Sequence, residues 1–243
     1  MAKTRIEWCN FSVNPVKGLC PMNCKDNQGK PYCYARRLYK RFKWYEGIEW
    51  DESCLHALRK IKSPSRIFVG STMELFGEWV HKWALESIFS YCRNYPQHTF
   101  IFLTKQPQNL PRAWPDNCWV GVSAPNFEQF AIGLTHLQDV KAMVKFFSFE
   151  PLLHEIAPEK KYAGYNSDLM ALDLKHTGIN WVIIGQQTPV NKRTEPKIAW
   201  IQEILVASHN AGNIPVFIKD NLRPLLEREC PGWAIRQEFP KQG

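Results

Sequence analysis

Seven short, mostly apolar runs recur along the chain, near Ile6 to Val13, Arg66 to Gly70, Thr99 to Thr104, Trp119 to Ser123, Val144 to Phe149, Trp181 to Gly185 and Pro215 to Lys219. Runs of this length rich in β-branched and aromatic residues read as strands. Their hydrophobicity is continuous rather than alternating, which is the pattern of parallel strands covered on both faces. Between them lie segments with helical spacing of apolar positions: Tyr34 to Tyr45, Asp51 to Ile61, Trp79 to Tyr91, Phe127 to Leu137, Lys197 to His209 and Leu222 to Arg228. The alternation predicts an α/β fold, a partial or complete β/α (TIM-like) barrel over one domain spanning residues 1–243. An open doubly wound sheet is the alternative, because periodicity does not report closure. The stretch from Pro151 to Asn180, with Glu159, Lys160, Lys161, Gly164 and Asn166, reads as an exposed insertion over the barrel mouth.

In such a fold chemistry belongs at the carboxyl ends of the strands. Those ends carry Asn14; Ser71, Thr72 and Glu74; Thr104, Lys105 and Gln106; Ser123 and Asn126; Ser148 and Glu150; Gln186 and Gln187; and Lys219 with Asp220. Glu150 stands out because it follows the apolar run Phe146-Phe147-Ser148-Phe149. A carboxylate there either pairs with a cation or becomes a proton-transfer group, and it is the candidate catalytic residue.

Neither a span of roughly 20 apolar residues nor an apolar secretion signal occurs, so no membrane association and a cytoplasmic location are expected. Lys and Arg outnumber Asp and Glu by 31 to 23, a net charge of +8 that favours a polyanionic partner. Eight cysteines in a reducing compartment are not a disulfide framework. Cys9, Cys54, Cys92, Cys118 and Cys230 are scattered and read as small hydrophobes.

Cys20, Cys24 and Cys33 are different, falling within fourteen residues on a loop between a strand and a helix. Three thiolates can close on one metal centre, and no fourth cysteine or histidine lies nearby. A structural zinc site wants four protein ligands, whereas three cysteines suit a 4Fe-4S cluster with one iron left open to a small molecule. A nucleic-acid-binding protein whose cysteine loop holds a structural zinc or no metal is the competing reading. A barrel hydrolase working through Glu150 is a third.

Cys-x-x-x-Cys followed by an aromatic residue, Tyr32, and a third cysteine resembles the signature loop of the radical S-adenosylmethionine (AdoMet) enzymes. Eight residues, Lys25 to Tyr32, separate the second and third cysteines, where that superfamily has two; a cluster requires the extra six to bulge outward. A further resemblance covers nearly the whole chain. Ile6-Glu7-Trp8, Asn14-Pro15-Val16 with Gly18, Cys33-Tyr34-Ala35, Phe68-Val69-Gly70-Ser71 with Leu75-Phe76, His98-Thr99-Phe100 with Leu103-Thr104-Lys105, Val120-Gly121-Val122-Ser123, Ser148-Phe149-Glu150-Pro151-Leu152-Leu153 and Trp181 to Gly185 are similar to an uncharacterised phage-associated, three-cysteine-motif family regarded as radical-SAM-like. Members tend to show Gly-Gly-Glu after the sixth strand, where this chain reads Gly185-Gln186-Gln187.

The resemblance implies that a 4Fe-4S cluster on Cys20, Cys24 and Cys33 binds AdoMet and, reduced by an external electron donor, cleaves it to a 5'-deoxyadenosyl radical that abstracts hydrogen from substrate. It further implies Lys105 as partner of the AdoMet carboxylate, Ser71 and Thr72 of its amine, Ser123 of the ribose and Tyr34 of the adenine. Each also has an ordinary role as a solvated cation, loop cap or packing group.

Directly after Cys33, a helix with Arg36, Arg37, Lys40 and Lys43 would carry a cationic stripe, with Leu38, Phe42 and Tyr45 on another face expected to turn toward the core. These four cations, with Trp44 or Tyr45 for base stacking, are the candidate nucleic-acid contacts, and they make a nucleic acid or nucleotide the expected substrate class.

Overall fold

The computed structural model describes residues 2–26, 28–158, 161–162 and 164–241. It is a mixed α/β fold of the partial β/α-barrel class, as the alternation of apolar runs and helices predicts. The chain groups into two compact units, residues 1–121 with 140–143 and residues 122–139 with 144–243.

In the first unit, β1 (Ala2–Lys3) pairs antiparallel with β2 (Phe11–Val13). A two-stranded ribbon joins β3 (Val16–Lys17) to the later β4 (Glu49–Trp50). Helix α1 (Tyr34–Phe42) lies between these two, and α2 (Ser53–His56), extended by a 3-10 turn at Ala57–Lys60, follows. Strand β5 (Arg66–Val69), helix α3 (Lys82–Asn94), strand β6 (Thr99–Thr104) and strand β7 (Cys118–Ser123) complete the unit, and the last two residues of β7 run into the second. Strands β2, β5 and β6 are parallel, with Val13 opposite Val69 and Val69 opposite Phe102. Ile67, Phe68 and Val69 are all buried, which is why their run shows no polar alternation.

The second unit begins with α4 (Phe127–Leu137) and continues through β8 (Val144–Phe149), α5 (Ser167–Thr177), β9 (Trp181–Ile184), α6 (Ile198–Asn210), β10 (Val216–Ile218) and α7 (Arg223–Glu229). Strands β8, β9 and β10 pair in parallel, and Phe146, Trp181 and Phe217 interleave their rings along them.

Two local expectations are corrected. The stretch after Pro151 is not a plain exposed insertion: Leu152, Leu153, Ile156 and Ala157 are buried, and α5 buries Met170, Ala171 and Leu174. That helix has ordinary end signals, an Asn166 side chain accepting from the N–H groups of Asp168 and Leu169 and a left-handed Gly178 at its carboxyl end. Glu159 and Lys160 lie outside the described residues. On α1 the buried positions are Ala35 and Tyr39 rather than Leu38, Phe42 and Tyr45; Phe42 and Tyr45 are 52% and 73% exposed. The helix stops at Phe42 because Lys43 takes the left-handed conformation, φ 51°, which turns the chain before the next aromatic can come round to the core side.

No helix among the described residues is long and apolar enough to cross a membrane. All eight cysteines are free thiols, and Cys9, Cys54, Cys92 and Cys118 are buried as packing groups.

Candidate active site

The loop after β3 carries the three clustered cysteines, and its shape begins with a glycine. Gly18 sits at φ 114°, and a β-carbon there would come within 2.6 Å of the Gly47 carbonyl oxygen. Its N–H donates to the Tyr39 hydroxyl at 2.8 Å, which ties the start of the loop to the buried side of α1. Only glycine combines that backbone with so close an approach.

The long interval between Cys24 and Cys33 folds back on itself. Lys25 and Pro31 form an antiparallel bridge, the Asp26 N–H donates to the Lys30 carbonyl at 2.8 Å, and the Tyr32 N–H donates to the Cys24 carbonyl at 3.1 Å. The buried Asp26 carboxylate accepts from the N–H groups of Gln28 and Lys30, both at 2.9 Å, and so braces the turn from inside. Asn27 lies outside the described residues. The extra residues are thus a small hairpin whose base returns Tyr32 to Cys24, and Cys33 follows it into α1.

Arg36 braces the other side of the loop. Its guanidinium donates to the carbonyls of Cys20 at 2.9 Å and Met22 at 3.4 Å, and Arg37 donates to the Tyr32 carbonyl at 3.3 Å. Two of the four cations expected to meet phosphates therefore hold the cysteine loop, while Lys40 and Lys43 are exposed beside Phe42, Trp44 and Tyr45. Trp44 stacks on Phe42 with ring centroids 5.4 Å apart.

Strand ends supply the rest of the wall. Glu74, only 7% exposed, accepts from the Thr104 hydroxyl at 2.6 Å, the Lys105 N–H at 2.8 Å and the Phe76 N–H at 3.2 Å, so its carboxylate fastens the ends of β5 and β6 together. Its own N–H donates to Cys20 Sγ at 3.4 Å. Gln106 donates to Met22 Sδ at 3.0 Å. Asn14 accepts from the Ser71 hydroxyl and the Thr72 N–H, both at 3.1 Å, and the Tyr34 hydroxyl donates to the Ser71 carbonyl. Asn14, Asp26 and Tyr32 are organising residues given no role in the sequence reading, although Asn14 stood at a strand end and Tyr32 beside a cysteine.

The electrostatics follow from that packing. Burial pushes the Cys20 and Cys24 thiols up, in Cys20 against the opposing pull of the Glu74 N–H. Tyr32 is pushed up to about 12, first by burial and then by the neighbouring thiols. Burial acts against the Lys105 ammonium, yet Tyr32, Cys24, Glu74 and Cys33 together outweigh it and hold Lys105 above the ordinary lysine value. The three sulfurs, a phenol, a carboxylate and one ammonium are thus within electrostatic reach of one another. Among the described residues, no group of three or more His, Cys, Asp or Glu side chains stands close enough to hold a metal ion directly.

Three thiols are donors of the chemical type that holds an iron–sulfur group. A backbone N–H aimed at one sulfur and a cation facing the others suit the negative charge such a group brings.

In the second unit, Glu150 forms an ion pair with Lys219 in which the two side chains are 23% and 14% exposed. This is the paired alternative of the two expected for Glu150. Its carbonyl accepts from the Ser123 hydroxyl at 3.1 Å. Gln186, where the resembled family tends to have glycine, interlocks with Asn221: its side chain donates to the Asn221 carbonyl, and the Asn221 amide returns a bond to the Gln186 carbonyl at 2.8 Å. Gln187, in place of the family glutamate, is 9% exposed, and its Oε1 has no hydrogen-bond partner among the described residues.

A family model described as "Protein of unknown function (DUF5131)" matches residues 3–221. No curated protein matches the chain in sequence. Among solved structures the chain is similar to a spore photoproduct lyase double mutant with bound AdoMet and dinucleoside spore photoproduct, at 11% identity and a TM-score of 0.53, covering 95% of this chain and 77% of that one. It is also similar to the same enzyme complexed with dinucleoside spore photoproduct and to a single mutant of it, each at 12% identity, a TM-score of 0.54 and the same coverage. At this identity the likeness establishes the fold.

Proposed function

This chain belongs to the DUF5131 family of proteins of unknown function, and from its thiol site and its fold we propose that it is a radical AdoMet enzyme acting on a nucleic acid or nucleotide. The carrying observation is the hairpin of residues 25–31, which removes the long interval between Cys24 and Cys33 as an obstacle by returning the chain to its starting point. The proposed cluster ligands are Cys20, Cys24 and Cys33. When bound, a reduced 4Fe-4S cluster supplies the electron that cleaves AdoMet to a 5'-deoxyadenosyl radical, the hydrogen-abstracting species.

The protein's own task is positioning. Lys105, held as a cation among Tyr32, Cys24, Glu74 and Cys33, balances thiolate charge and pairs the AdoMet carboxylate. Asn14 fixes Ser71 and Thr72, leaving the Ser71 hydroxyl oxygen to accept from the AdoMet amine. Tyr34, anchored through its hydroxyl to Ser71 and 41% exposed, presents a ring face to adenine. Ser123, proposed from the resemblance for the ribose hydroxyls, is fully buried and donates to the Glu150 carbonyl within the second unit. Glu150, paired with Lys219, is the proposed group for hydrogen bonding with substrate. Lys40 and Lys43, exposed beside Trp44 and Tyr45, are the proposed phosphate contacts, and an external protein or small reductant donates the electron. The AdoMet and dinucleoside carried by structures of the same fold support this choice of cofactor and substrate class.

The test is iron and sulfide content after oxygen-free purification and reconstitution, followed by release of 5'-deoxyadenosine on reduction with AdoMet. About four irons per chain are expected, and Cys24→Ala should abolish both cluster and cleavage. A colourless protein holding one zinc, or retained cluster and cleavage in the Cys24 variant, would overturn the assignment.

A further inference from the structure

We propose that a cavity in the first unit, lined by Trp50, Trp79, Trp83 and His81, is a binding site for an alkylated ammonium group. Nothing in the proposed radical reaction uses these residues, so the two readings stand or fall separately.

The cavity measures about 160 Å³. At roughly 30 Å³ per water-sized group it holds about five such groups, the size of one nitrogen with four carbons around it. Trp50 on β4 and Trp83 on α3 meet with ring centroids 5.2 Å apart and planes at 73°. Meeting edge to face, the two rings bound a recess in which a rounded cation can lie against one tryptophan face beside the edge of the other. The His81 ring lies nearly parallel to Trp83, 15° between planes and 6.3 Å between centroids. Trp79 is fixed rather than mobile: its indole N–H donates to the Glu74 carbonyl at 3.1 Å, and its ring covers Gly77 so closely that a β-carbon there would fall 2.2 Å from it.

Charge decides the class of occupant. The electron-rich faces of tryptophan attract cations, and weakly hydrated alkylammonium groups gain most from them. Glu49, exposed and adjacent to Trp50, also lines the cavity and adds a carboxylate to it. The Lys17 ammonium, on the residue paired with Glu49 across the ribbon, bonds to Asp51 at 2.5 Å and lies within electrostatic reach of Glu49 as well. Trp83 and Ile48 are left 54% and 41% exposed at the same place, apolar area that an occupant's methyl groups would cover.

The experiment titrates the full-length protein with tetramethylammonium chloride and, separately, with tert-butanol, a neutral molecule of nearly the same shape. The readout is the indole N–H resonances, assigned with Trp50→Phe and Trp83→Phe. Saturable shifts of Trp50 and Trp83 are expected, with tert-butanol at least about ten-fold weaker. Trp83→Ala should weaken binding by about ten-fold and Glu49→Gln, a surface change that leaves the fold intact, by about three-fold. Equal affinity for the neutral molecule, undiminished binding in both variants, or displacement of the ammonium by adenosine at lower concentration would overturn the proposal.

Discussion

Glu74 should be the most stability-sensitive polar residue of the first unit. Its buried carboxylate accepts three hydrogen bonds, from the Thr104 hydroxyl at 2.6 Å and the N–H groups of Lys105 and Phe76 at 2.8 and 3.2 Å. Replacement by alanine leaves all three donors without an acceptor at a place that is 7% open to water. Each orphaned donor costs about 1–2 kcal/mol, together about 3–6 kcal/mol. In a chain of this size 1 kcal/mol moves the melting temperature by roughly 2–4 °C, so Glu74→Ala should melt about 10 °C lower. Glu74→Gln keeps one carbonyl oxygen but turns an NH₂ against one of the donors, and should lose about half as much. Calorimetry or the near-ultraviolet circular dichroism of the aromatic core measures both. A Glu74→Ala protein melting within about 2 °C of wild type would refute the view that this carboxylate fastens β5 to β6.

Other outcomes follow from the same geometry. Asp26→Ala removes the acceptor for two N–H groups of the hairpin and should lower iron content after reconstitution several-fold while shifting the melting temperature by less than about 5 °C; unchanged iron loading would show that the hairpin does not order the thiols. Lys40→Glu combined with Lys43→Glu should weaken single-stranded oligonucleotide binding and reduce the slope of log affinity against log salt by about 1.4, two phosphates at about 0.7 each, and an unaltered slope would remove these residues from the interface. Arg36→Gln, by contrast, should reduce iron loading and leave the salt slope in place, because Arg36 is spent on the Cys20 and Met22 carbonyls. Glu203 is pushed up to about 7 by burial and then by Glu155. Its folded value lies above its unfolded one, so the stabilisation is present below about pH 4.5 and is lost as pH rises to about 7. Glu203→Gln should abolish that decline and raise stability at pH 8 by on the order of 1–2 kcal/mol, after discounting for the group's partial exposure, read as a higher melting temperature; a variant with the wild-type pH profile would refute it.

Local chemistry determined a good deal by itself. Apolar runs placed β6 and β8 to the residue and β5, β7, β9 and β10 to within one position at either end, while the run from Ile6 overshot β2, which begins only at Phe11. The crowding of Cys20, Cys24 and Cys33 likewise marked the site without any structure. Helix α5 escaped although Asn166 and Gly178 announce its ends, since the polar and glycine residues before it resemble a loop. What only the tertiary structure decided is which partner each polar group takes. Arg36 turned to carbonyls 14 and 16 residues back in the chain, Glu150 to Lys219 across 69 residues, and Glu74 to the end of β6. Such pairings depend on which strand ends and loops the fold brings together, and no local pattern of hydrophobicity or capping encodes them. The same holds for the tryptophan corner, whose walls come from β4 and α3 and exist only once the ribbon and that helix are packed.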